Sequence, residues 1–216
     1  MSLRELSLER FLDQAASASP TPGGGALAAT GGALAAAMIG MTARLTEGRR
    51  AYEAVQAEVA ELAAAGDAAR RALLDLAEAD ADAYGAVMAA MRLPRGDDAE
   101  RAARTAALQS ALVAATRVPA AIAARCEEVL GLAERAAAIT NRNALGDVAT
   151  GAFLAEGAMR SAAVQAELNL ATIQDTAQDT AFVASMRAEL TPRAAGAADR
   201  LAAVLATVRR RAGEQS

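Results

Sequence analysis

Apolar positions recur every three or four residues along almost the whole chain, and no stretch alternates in strand fashion. The pattern predicts an all-α protein. A first helix is expected near Leu3–Ala18, opened by the capping pair Ser2 and Glu5, with Leu8, Phe11, Leu12 and Ala15 on its apolar face. Pro20-Thr21-Pro22-Gly23-Gly24-Gly25 interrupts the pattern, and a second helix follows from about Ala26 to Thr46. A third, from about Arg50 to Met91, carries Val55, Val59, Leu62, Leu73, Leu76, Tyr84, Val87 and Met88. At 1.5 Å per residue it is about 60 Å long. Leu93-Pro94-Arg95-Gly96-Asp97 ends it, and a fourth helix near Asp98–Ile139 contains Pro119, where a kink is expected. Thr140-Asn141-Arg142-Asn143 separates this from a fifth helix over about Leu145–Ile173. In the last region, about Thr176 to Arg211, Thr191-Pro192 reads as an N-cap and first helical residue, which allows a second helix start inside it. Long helices joined by short breaks predict one domain over residues 1–216, an up-and-down bundle of about five long helices.

The second helix departs from the amphipathic pattern. No charged residue occurs from Ala26 to Ala43, a run long enough to span a membrane. Ala, Gly and Thr dominate it, so it is expected to be the buried central helix and not a membrane span. Gly32, Ala36 and Gly40 recur every fourth residue and form a stripe that a neighbouring backbone can approach closely, within the subunit or from a partner. So Ala-rich a bundle is expected to be a homodimer, paired through this helix or its neighbours.

Composition narrows the chemistry. The chain is 54% hydrophobic but 2% aromatic and has no Trp, so its core is built from Ala, Leu, Val and Met. All 22 basic residues are Arg, and the net charge is −4, which argues against a nucleic-acid binder. The chain has no His. A Ser-His-Asp or Cys-His arrangement and a His-ligated metal are thereby excluded, and no metal is expected. Proton transfer near neutral pH falls to carboxylates of shifted pKa, the thiol, Tyr or water. Cys126 is the single cysteine and lies in the apolar pattern of the fourth helix. It reads as a buried core thiol, with no disulfide possible within the chain. Met1-Ser2-Leu3-Arg4-Glu5 leads directly into an amphipathic segment and does not resemble a signal peptide, so a cytoplasmic location is expected.

Several polar residues invite two readings each. The Pro20–Gly25 loop is either a tight turn between packed helices or bare backbone at a helix N-terminus, open to an anion or a flat ligand. Asp80 and Asp82 lie about 200° apart on a helix and face different ways. Glu78 and Asp82 share a face, where like charges repel unless one is protonated or paired. Asp82 is thus a functional acid or part of a solvated face. Asp147 falls in the first turn of a helix, where the dipole stabilises a carboxylate as plain capping or as a ligand anchor. Asn141 and Asn143 either cap that helix or hold a ligand's polar edge. Arg49 and Arg50 either meet an acidic ligand or form a solvated helix end.

Taken in order, these segments resemble a known family. Phe11-Leu12 through Ser19-Pro20-Thr21-Pro22-Gly23-Gly24-Gly25, Gly32 through Met38, and Leu45-Thr46 with Gly48-Arg49-Arg50-Ala51-Tyr52 carry the first half. Asp82-Ala83-Tyr84-Gly85 through Leu93-Pro94-Arg95, Val118-Pro119 and Asn141 through Asp147 carry the rest. Together they resemble the cyclodeaminase domain of formimidoyltransferase-cyclodeaminase and the stand-alone methenyltetrahydrofolate cyclohydrolases of the same fold. Where relatives carry lysines this chain has Arg49 and Arg50. Near Asp147 it reads Gly146-Asp147-Val148-Ala149 where relatives often read Ser-Asp-Ala-Gly.

The resemblance implies an all-α bundle that dimerises and acts on a tetrahydrofolate carrying a one-carbon unit, with no further cofactor. It implies hydrolysis of 5,10-methenyltetrahydrofolate to 10-formyltetrahydrofolate first. Ring closure of formimidoyltetrahydrofolate with ammonia release is the alternative, and a non-catalytic folate-binding dimer is a third reading. Carboxylates can do either chemistry if burial raises their pKa. On this reading Asp82 is the acid/base group and Asp147 a second catalytic anchor. Pro22, Gly23, Gly24 and Gly25 approach the pterin or the carboxylate tail. Arg49 and Arg50 attract that tail, and Asn141 and Asn143 hold polar edges.

Overall fold

The computed structural model describes residues 2–173 and 177–213. Among the described residues there are six α-helices: α1 (Leu8–Ala16), α2 (Gly24–Arg44), α3 (Gln56–Met91), α4 (Asp98–Ile139), α5 (Leu145–Leu170) and α6 (Ala177–Gly213). Among the described residues there is no strand, and the last five helices are the expected long bundle. The short links after α2, α3, α4 and α5 make consecutive helices antiparallel neighbours. The N-termini of α2, α4 and α6 therefore share one end of the bundle with the C-termini of α3 and α5. Thr176, the expected start of the last helix, lies outside the described residues.

The first expected helix is two pieces. A single 3-10 turn covers Leu3–Glu5, and α1 starts afresh because the Ser7 Oγ accepts the Arg10 N–H. Of its expected apolar face only Phe11 is buried, while Leu8 and Leu12 are exposed. The third helix is also shorter than expected. Arg50–Val55 forms a 3-10 segment with Tyr52 off helical geometry, and this turn points the Tyr52 hydroxyl at the Arg142 N–H, 3.0 Å away. The last helix, in contrast, is one piece. Pro192 lies inside α6, where Leu190, Ala197 and Val204 are buried at seven-residue spacing. Arg193 and Arg200 reach Glu127 and Glu134 of α4, each at 2.7 Å, so docking onto α4 holds the register through the proline.

α2 is the central helix, packed on α3, α4 and α5. By length and composition alone α2 and α4 are long and apolar enough to cross a membrane. In the fold, α2 buries Ala26, Ala29, Ala36, Ile39 and Ala43 completely. Its small-residue stripe is used inside the subunit. A Cβ at Gly66 of α3 would stand 3.1 Å from the Ala36 carbonyl oxygen and 3.2 Å from the Gly40 backbone, so the two helices touch backbone to backbone. Cys126 of α4 is buried, as expected, and fills the space left by Gly32, where a Cβ would come within 2.5 Å of its sulfur. Burial pushes the Cys126 thiol up to about 12.

Candidate active site

The glycine loop opens α2, and the bare backbone there receives a side chain of this same chain. Asp80 of α3 places its Oδ2 2.9 Å from the Ala26 N–H, which donates to it. Gly23 is the N-cap residue and supplies no side-chain cap, so Asp80 caps α2 from a neighbouring helix. A Cβ at Gly25 would lie 2.0 Å from the Asp80 Oδ1, and a Cβ at Gly24 would lie 2.7 Å from the Gln165 Nε2 of α5. Glycine at both positions lets two polar side chains come up to the helix end. Burial pushes the Asp80 carboxyl above its ordinary value, against the opposing pull of the Ala26 N–H.

Asp80 stands in the wall of a cavity of about 330 Å³ between the Pro20–Gly25 loop and α3, α4 and α5. Ala83, Tyr84, Val87 and Leu112 supply apolar surface, and Gln165 and Asn169 supply two amides. This is a pocket for a flat molecule with polar edges, with one carboxylate of raised pKa at its side. Pro22, within this loop, follows a cis peptide bond and is buried, and it does not line the cavity. Among the described residues, no three His, Cys, Asp or Glu gather as a metal site.

The expected site residues fall in two groups. Gly23, Gly24 and Gly25 line the cavity. Asp82 is two positions from Asp80 on the exposed side of α3, and its carboxylate does not line the cavity. Glu78, its expected like-charged neighbour, is occupied elsewhere. Burial pushes its carboxyl up, but the Ser2 hydroxyl and the backbone N–H groups of Leu3 and Arg4 outweigh this and hold it below its ordinary value. The second group lies at the other end of α2, about 30 Å away by helix rise. There Arg49 and Arg50 edge a shallow depression with Glu53 and Gln56. Asn141 is buried, and every polar group of its side chain is used. Its Nδ2 donates to the Leu45 carbonyl at 3.3 Å and its Oδ1 accepts the Asn143 N–H at 3.1 Å. Its backbone N–H donates to the Thr46 hydroxyl at 2.8 Å. Asn143 is exposed and Asp147 half-buried in the first turn of α5.

A family model described as formiminotransferase-cyclodeaminase matches residues 7–191. The chain belongs to that family. Among its relatives, a methenyltetrahydrofolate cyclohydrolase of Methylorubrum extorquens is 40% identical over 79% of this chain and 82% of its own length. A formimidoyltransferase-cyclodeaminase of Rattus norvegicus is 32% identical over 81% of this chain, which spans 32% of the rat protein. The solved structure of a formiminotetrahydrofolate cyclodeaminase from Thermotoga maritima superposes with a TM-score of 0.84 at 30% identity, covering 96% of this chain and 98% of that one.

Within this member of the formiminotransferase-cyclodeaminase family, the cavity adds Asp80, Tyr84, Gln165 and Asn169 to the residues read from sequence. Asp80 carried a usable signal. Buried positions of α3 run Val59, Leu62, Gly66, Ala69, Leu73, Ala77, and the next step of that stripe is Asp80, a charge where the pattern asks for an apolar residue. Gln165 and Asn169 are one turn apart on α5, but nothing in their spacing separates them from solvated amides.

Proposed function

We propose that this protein hydrolyses 5,10-methenyltetrahydrofolate to 10-formyltetrahydrofolate, with Asp80 as the acid/base carboxylate. One observation carries the reading: a carboxylate of raised pKa, fixed at the α2 N-terminus, faces a cavity of apolar surface and two amides. Water adds to the cationic methenyl carbon, and ionised Asp80 takes one of its protons. The bond from that carbon to N5 then breaks, its electron pair stays on N5, and Asp80 returns the proton there. The remaining hydroxyl proton leaves to solvent as the formyl carbonyl forms on N10. The raised pKa makes Asp80 a better base than an ordinary aspartate, and its charge stabilises the cation beside it. The reaction consumes water and the folate alone, so no cofactor is assigned.

The likeness to the Thermotoga structure, over nearly the whole of both chains, supports a second reading, cyclodeamination of formimidoyltetrahydrofolate. The hydrolase stands first because its relative is matched over 82% of its own length at higher identity. Incubation with each substrate decides: loss of methenyl absorbance supports the hydrolase, ammonia release supports the deaminase, and neither signal overturns both.

The proposal includes a cytoplasmic homodimer. Leu27, Leu34 and Met41 recur every seven residues on the outer side of α2, and Phe153, Val164 and Leu168 stand out from α5, all of them exposed. Pairing two copies antiparallel about Leu34 sets the α2 N-terminus of one beside the α2 C-terminus of the other. Arg49, Arg50, Asn143 and Asp147 of the second copy then complete the site at Gly23–Gly25 and Asp80, and Asn141 braces the corner that carries them. Light scattering should give a dimer, and Leu34→Glu a monomer without turnover. A wild-type monomer with full turnover contradicts this part.

A further inference from the structure

Pro119 and Asn169 sit on different helices and converge on one atom, the carbonyl oxygen of Ala115. In an uninterrupted α-helix that oxygen accepts the N–H four residues on. In α4 that position is Pro119, which has no N–H. The Asn169 side chain of α5 fills the gap, its Nδ2 donating to the Ala115 oxygen at 2.9 Å. Ala115 is buried, and a buried carbonyl left unpaired is costly, so this bond decides which way round the amide sits. Ala115 and Asn169 both line the cavity that holds Asp80. With one Nδ2 hydrogen committed to Ala115, the orientation of the amide is set, and its Oδ1 is the acceptor that Asn169 offers a ligand beside the second Nδ2 hydrogen.

The geometry points to Pro119 and Asn169 as one unit that presents a fixed amide oxygen to the ligand. Asn169 is a specificity-determining contact, and Pro119 is a positioning residue that acts through it. The ligand group this oxygen selects is an N–H or NH2 edge of a flat heterocycle, which a pterin ring provides. The inference rests on the folate reading of the cavity. It divides the labour there: Asp80 handles charge and protons, while Asn169 anchors the ring so that the one-carbon bridge stays at Asp80. It also accounts for a proline in a helix interior, where it removes a backbone hydrogen bond and is otherwise unfavourable.

The test compares Pro119→Ala, Asn169→Ala and the double variant. Alanine at 119 restores a backbone N–H, which competes for the Ala115 oxygen and releases the Asn169 amide to turn. Either single variant should raise KM for 5,10-methenyltetrahydrofolate about 5- to 10-fold, the worth of one hydrogen bond, with kcat far less affected. The double variant should be no worse than Asn169→Ala alone. In the ligand-free protein the Asn169 side-chain N–H resonance should move upfield in Pro119→Ala, while that variant melts no lower than wild type. A wild-type KM with an unmoved resonance in Pro119→Ala overturns the unit, as do losses that add in the double variant. If wild type turns over neither folate substrate, the functional reading and the ligand half of this inference fall together. The resonance then decides the Pro119–Asn169 coupling by itself.

Discussion

Gly25→Ala tests whether the glycine loop exists to admit Asp80. The new Cβ would stand 2.0, 2.5 and 2.7 Å from the Asp80 Oδ1, Cγ and Oδ2. Ordinary contact needs about 3.5 Å, so the carboxylate must retreat by more than about 1 Å. That breaks the 2.9 Å bond from the Ala26 N–H. A hydrogen bond to a charged group contributes about 1.5–3 kcal/mol, and alanine returns about 0.4–1 kcal/mol through the unfolded chain. The net loss is about 1–2 kcal/mol, or roughly 2–8 °C in Tm for a chain of this size. A misplacement of about 1 Å in the acid/base group costs turnover on the order of 100-fold. Gly196→Ala is the control, since a Cβ there meets nothing within 4 Å, and it should leave activity intact while raising stability by a few tenths to 1 kcal/mol. Circular-dichroism melting and the decay of methenyl absorbance read both effects. Wild-type turnover and an unchanged Tm in Gly25→Ala would refute the reasoning.

Three further outcomes follow from the same packing. Asp80 has a folded pKa above its ordinary 3.8, so its ionisation opposes folding, and the stability present at low pH is lost as pH rises through the folded value. Asp80→Asn keeps an oxygen for the Ala26 N–H and should be more stable than wild type at pH 7 but equal to it near pH 3, a difference that urea titration at the two pH values reads directly. Gly32→Ala should cost about 1–3 kcal/mol, because its Cβ would meet the Cys126 sulfur at 2.5 Å and Leu73 at 3.2 Å. Cys126→Ala should recover most of that loss, and independent, additive costs in the double variant would count against this packing. With its thiol pushed up to about 12 and buried, Cys126 should react with a thiol reagent only as fast as the protein opens; rapid native-state labelling would contradict the burial.

Much of the fold was legible because helix periodicity, capping residues and the loop glycines are local signals. Ser2 is one of them, its side chain accepting the Arg4 N–H at 3.3 Å to open the first turn. The misplaced boundaries have tertiary causes. Tyr52 leaves helical geometry to meet Arg142, and Pro192 is carried inside α6 by ion pairs to α4. The site was legible by half. The glycines announced a helix end built for close approach, but their occupant is Asp80, more than fifty positions away in sequence. Glu78 shares a face with Asp82 but is held by the N-terminal turn, and the α3 carboxylate that lines the cavity is Asp80. Asn169 owes its place to an orphan carbonyl on another helix, which no pattern along α5 encodes.

The central claim is that Asp80 carries the proton chemistry. Its most direct test is turnover of 5,10-methenyltetrahydrofolate by Asp80→Asn beside Asp82→Asn, both confirmed folded by their melting curves. The account predicts a loss of about 100- to 10,000-fold for Asp80→Asn and near wild-type turnover for Asp82→Asn. Near wild-type turnover in Asp80→Asn, or the large loss appearing in Asp82→Asn alone, would contradict it.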